Sequence, residues 1–155
     1  VREVDLKRYV GRWYEIAKIP NRFQRTCACG TTADYALRDD GRIEVVNRCV
    51  EADGALREAR GIAEVVDGAS NARLRVSFVR LLGIRLFWGK YWILGLGPEY
   101  AYAVVGTPDR KYGWILSRTP HLGPELLREA MTTLSRQGYD PAAFEMTQQP
   151  CEGPA

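Results

Sequence analysis

Eight short runs rich in β-branched and aromatic residues, each closed by a turn signal, occupy residues 11–118. Regular spacing of this kind belongs to a β-sandwich or β-barrel. Residues 11–19 read as a first strand ended by Pro20-Asn21, and residues 30–37 as a second. Asp39-Asp40-Gly41 turns the chain into a third over 42–50, and Asp53-Gly54 starts the next reversal. Runs at 57–66, 73–79, 90–96, 101–107 and 112–118 complete the eight. The expected fold class is all-β, an eight-stranded up-and-down antiparallel barrel.

A helix is expected over about 124–137, followed by a tail over 138–155. Pro124 suits a first helical position, Gly138 suits a C-terminal cap, and Leu126, Leu127, Ala130, Met131 and Leu134 form one apolar stripe that packs on the barrel wall. With 155 residues the chain is read as a single domain. If strand one rises from the bottom, the connections at 20–29, 52–56, 80–89 and 108–111 lie at the top. The start of strand one and the end of strand eight then meet at the bottom, bringing Trp13 close to Arg118.

Composition removes several function classes. A net charge of +3, with basic and acidic residues intermixed, gives no basic stripe for nucleic acid. No apolar run approaches the ~18 residues of a membrane-spanning helix. The four cysteines lack paired C-x₂₋₄-C spacing and His121 stands apart, so no metal site and no cofactor are expected. An even cysteine number suits an oxidising compartment, and the chain reads as a mature form whose leader has been removed.

Alternation sorts the strand residues by face. If Arg118 points inward, so do Leu116, Trp114 and Tyr112. Ala33, Tyr35 and Leu37 share one face, against the more polar Thr32, Asp34 and Ala36. Ile43, Val45 and Asn47 share another, as do Leu74, Val76 and Phe78. The inward sets are apolar with polar tips at the Tyr35 hydroxyl, the Asn47 amide and the Trp114 indole N–H. That mixture suits a small-molecule pocket. The expected ligand-binding residues are Tyr35, Asn47, Phe78, Trp114, Tyr112, Val45, Val76 and Leu116.

Gly11-Arg12-Trp13-Tyr14-Glu15 resembles the G-x-W motif that opens lipocalin barrels. Thr107-Pro108-Asp109-Arg110 and Trp114-Ile115-Leu116-Ser117-Arg118 resemble the later lipocalin motifs, including the arginine that stacks on that tryptophan. The similarity runs over roughly residues 4 to 150 and is nearest the bacterial outer-membrane lipocalin and apolipoprotein D subgroup. The resemblance implies that Trp13 and Arg118 form a structural pair at the barrel base. It also implies that positions matching Tyr35, Asn47, Phe78 and Trp114 line the ligand cavity.

Cysteines two apart on a strand are too distant for easy bridging, which disfavours Cys27–Cys29. Cys49 lies across the hairpin from about residue 31, so Cys29–Cys49 is the nearest pair. Cys27–Cys151 would then staple the tail to the barrel, as similar family members do. The swapped pairing, Cys27–Cys49 with Cys29–Cys151, stays open.

The expected function is carriage of a fatty acid, lysophospholipid or similar amphiphile, in a periplasmic or outer-membrane-associated protein if bacterial and a secreted one otherwise. An enzyme is not expected, since no G-x-S-x-G, H-E-x-x-H or phosphate loop is present. Two alternatives are a lipocalin-type isomerase or acyl-transfer enzyme, and an interaction module. The latter would use the apolar segment Leu81–Trp88 at the barrel mouth. Three readings of that segment are open: a lid, contact with a membrane, or pairing with a second copy. A lost N-terminal anchor is another route to the membrane.

Overall fold

A computed structural model describes residues 3–82, 84–86 and 88–151. Strands β1 (Gly11–Lys18), β2 (Cys27–Leu37), β3 (Ile43–Glu51), β4 (Leu56–Val65) and β5 (Arg73–Ser77) pair in sequence order. The chain then makes a small hairpin, β6 (Val79–Leu81) and β7 (Ile84–Leu86), before rejoining the sheet as β8 (Gly89–Leu96). Strands β9 (Tyr102–Gly106) and β10 (Gly113–Ser117) follow, and β10 pairs antiparallel with β1. That last ladder closes an eight-stranded barrel. A one-turn helix, α1 (Leu6–Tyr9), lies under the closed end, and α2 (Pro124–Arg136) packs outside the wall.

Sequence alternation explains which walls are two-sided. On β9, Ala103 and Val105 join an inner cluster with Trp13, Tyr35, Val45, Leu74, Ile93 and Leu116. Tyr102 and Val104 instead face outward into a second cluster with Ile16, Ile115 and the α2 residues Ala130 and Leu134. A strand covered on both faces needs no polar alternate, so β9 is buried throughout. Strand β5 alternates exposed Arg73 and Arg75 with inward Leu74 and Val76.

The disulfides correct the expected pairing. Cys27 bonds Cys49 and Cys29 bonds Cys151, with Cα separations of 5.6 and 5.2 Å. The β2–β3 ladder is regular from Leu37↔Ile43 to Thr32↔Arg48, then shifts twice, giving Cys29↔Val50 and Cys27↔Glu51. Each single-residue shift reverses which face the following side chains take. Cys27 therefore shares a face with Glu51 and Cys49, while Cys29 is turned to the other face. There the C-terminal tail runs alongside, the Gly30 N–H donating to the Gln148 carbonyl at 3.0 Å. Gly30 has φ +67°, and a Cβ on it would lie 2.7 Å from Cys151 Sγ. Just before that point the tail forms β11 (Glu145–Met146), which pairs with Ala17 and Lys18 of β1.

Candidate functional site

The closed end is a plug. Trp13 is fully buried and its Nε1 donates to the Tyr9 carbonyl at 2.8 Å. The Arg118 guanidinium lies 3.8 Å from the Trp13 ring centroid and donates to the carbonyls of Arg8, Tyr9 and Arg12. It thus ties α1 to the start of β1 and the end of β10. Above the plug, the hydroxyls of Tyr9 and Tyr35 both meet that of Tyr91, at 2.5 and 2.8 Å. Burial pushes the Tyr35 phenol up to about 12 and raises Tyr9 and Tyr91 as well, so this floor is uncharged.

The walls hold Val45 and Leu116, both buried, with Val76 and Trp114 packed against the same inner cluster. Small residues from β4 line part of the inner wall. Ala63, Gly61 and Ala59 pair with Ile43, Val45 and Asn47, so this stretch of β4's inner face carries nothing larger than a methyl group. Phe78 overlies this strip: a Cβ on Gly61 would meet the Phe78 ring at 2.7 Å. Asn47 stands between Ala33 on β2 and Ala59 on β4. Its half-buried amide makes no hydrogen bond to any described residue.

Toward the mouth, Tyr112 stacks on Trp114 with centroids 6.1 Å apart, and Phe23 from the β1–β2 loop leans on Tyr112 at 5.9 Å. Trp114 Nε1 donates to Gln24 Oε1 at 3.0 Å, and Gln24 Nε2 donates to Glu15 Oε1 at 2.7 Å. Thr147 of the tail donates to the other Glu15 oxygen at 2.6 Å. Burial raises the Glu15 carboxyl, partly offset by these two donors and by Lys18.

Of the three expected polar tips, then, two already have protein partners. Tyr35 is hydrogen-bonded to Tyr91 and Trp114 to Gln24, leaving Asn47 without a side-chain partner among the described residues. The partners Tyr9, Tyr91, Gln24 and Glu15 escaped the sequence reading. Tyr91 was within reach, since it alternates with Trp92 and shares parity with Ile93. Gln24 and Glu15 had no local signal. At the mouth, Leu82 and Ile84 are exposed, while Gly83 and Phe87 of the same segment lie outside the described residues. Among the described residues, no group of three or more His, Cys, Asp or Glu is placed to hold a metal.

Residues 4–149 match the lipocalin-like domain family. The chain is a lipocalin. Members of this family typically bind small hydrophobic ligands. This lipocalin is 40% identical over 151 residues to the outer membrane lipoprotein Blc of Escherichia coli (strain K12), covering 97% of this chain and 82% of that protein. It is 34% identical over 153 residues to mouse apolipoprotein D, covering 94% and 77% of the two chains. Among solved structures, insecticyanin from the tobacco hornworm Manduca sexta superposes with a TM-score of 0.76 at 25% identity, covering 96% and 82%.

Proposed function

We propose that this lipocalin carries a single-chain amphiphile, a fatty acid or lysophospholipid, inside the barrel, in an oxidising compartment at or beyond a bacterial inner membrane or outside a eukaryotic cell. The observation that carries the reading is the unpaired Asn47 amide set between two alanines in an otherwise apolar wall. A half-buried amide with no partner among the described residues is free to bond a ligand ester, hydroxyl or carboxyl oxygen. The ligand chain lies along Ala59 and Ala63 of β4, with Tyr35, Val45, Val76, Phe78, Tyr112, Trp114 and Leu116 as its walls. Two disulfides fit an oxidising compartment. They also leave Cys27 and Cys29 without free thiols.

Titration of delipidated protein with lysophospholipid, fatty acid and haem, followed by tryptophan fluorescence, tests this. Lysophospholipid and fatty acid bind at or below micromolar concentration, and Trp114→Ala weakens both. Asn47→Leu weakens the more polar ligand more. Absence of binding below the micromolar range, or indifference to Trp114→Ala, sinks the assignment.

A further inference from the structure

Three hydroxyls meet just above the plug, and one of their protons has nowhere to go. Tyr9, Tyr35 and Tyr91 bring three O–H groups but share two hydrogen bonds, Tyr9 to Tyr91 and Tyr35 to Tyr91. Each phenol has a single proton to donate, so two bonds use two protons however the hydroxyls are turned. The remaining O–H finds no acceptor among the described residues. Tyr9 and Tyr35 are 2 and 9% exposed, deep enough that an idle donor is costly. Tyr91, the shared partner, is half-buried, so the cluster is not sealed.

A cation lies beneath this cluster. Arg118 donates to three backbone carbonyls, and among the described residues no carboxylate pairs with it. Its charge is felt at the nearest hydroxyl: burial raises the Tyr9 phenol well above its usual value, and Arg118 opposes part of that rise. Asp34, whose charge is felt at Tyr35, is already paired with Arg12 and Arg48 at 2.9 and 2.8 Å. An idle donor near a positive charge with no acidic partner selects an electron-rich acceptor oxygen.

We propose that the Tyr9–Tyr91–Tyr35 cluster is a carboxyl subsite, and that a fatty acid lies in the cup carboxyl-down. One carboxyl oxygen takes the idle phenol proton above the Arg118 charge, and the methyl end points to the mouth. The proposal rests on the carriage reading and deepens it by giving the two ligand types opposite orientations. A lysophospholipid cannot use the subsite, because burying its phosphate and ammonium charges costs more than one hydrogen bond recovers. It enters methyl first, which leaves its ester oxygens to Asn47.

Palmitate labelled with carbon-13 at the carboxyl or at the terminal methyl reads the orientation. With the labelled acid bound to the disulfide-intact protein, a soluble gadolinium chelate broadens the methyl signal more than the carboxyl signal. Tyr9→Phe, Tyr35→Phe and Tyr91→Phe combined lower palmitate affinity by on the order of tenfold. The same variant binds lysophosphatidylcholine as well as the parent or better, since its methyl end no longer rests on hydroxyls. The labelling needs no variant, so it decides the matter even where the triple replacement fails to fold. Two results overturn the subsite while leaving carriage intact: a carboxyl signal broadened at least as much as the methyl signal, or equal losses of both ligands in the variant. A parent that binds neither ligand overturns the carriage reading and the subsite with it.

Discussion

Arg118 and Trp13, 105 positions apart in the chain, converge on one acceptor: both donate to the Tyr9 carbonyl, at 3.0 and 2.8 Å, while the guanidinium covers the indole face. One interaction thus fastens β1, β10 and α1 across the closed end. Arg118→Ala removes the cation–π contact and a hydrogen bond to each of three carbonyls, and is expected to cost roughly 2–4 kcal/mol of stability. Urea unfolding measures it. A loss below about 0.5 kcal/mol would mean that the plug is closed by apolar packing alone.

The two disulfides close loops of very different length, with sequence separations of 122 and 22 residues. On the chain-entropy account, replacing Cys29 and Cys151 by serine costs ~5 kcal/mol, and replacing Cys27 and Cys49 costs ~3. Peptide mapping of the unreduced protein checks the pairing, and denaturant unfolding checks the order. Equal losses would show that the tail adds little constraint to the unfolded chain.

Glu15 carries a pH signature. Burial raises its folded carboxyl above the ordinary 4.5, so the folded state holds that proton more tightly than the unfolded chain does. The stability this brings is fully present below the unfolded value and is lost as pH rises through the folded one. Glu15→Gln abolishes the titration. The stability of the variant relative to the parent is therefore expected to improve as pH rises above 4.5 and to level off above the folded value. Thermal unfolding across that range checks it, and a difference independent of pH rules the account out.

Gly61 leaves no space for a side chain, because an added Cβ would lie 2.6 Å from the Ser77 carbonyl and 2.7 Å from the Phe78 ring. Gly61→Val is expected to destabilise by about 1–3 kcal/mol through overpacking. It also displaces Phe78 and narrows the cup, so fatty-acid affinity falls further than stability explains. Unfolding and ligand titration on the same variant separate the two effects. An unchanged affinity would place the ligand away from β4.

Much of this protein is legible from local pattern. Turn residues, strand alternation and the α2 stripe depend on near neighbours, and they were enough for an eight-stranded barrel with Trp13 and Arg118 at its base. Alternation likewise brought Val45, Val76, Leu116 and Trp114 to one inner cluster. The disulfide pairing was not legible, because two ladder shifts between Cys27 and Thr32 reverse side-chain faces and no local residue type announces them. Neither were the polar partners. Tyr35 meets a hydroxyl 56 positions away, and Trp114 meets an amide 90 positions away. The sequence by itself determined which side chains face inward, since parity is a property of consecutive residues. Only the tertiary structure decided which inward polar groups are already paired, since that depends on atoms brought together by barrel closure: Tyr35 and Trp114 have partners, and Asn47 has none among the described residues.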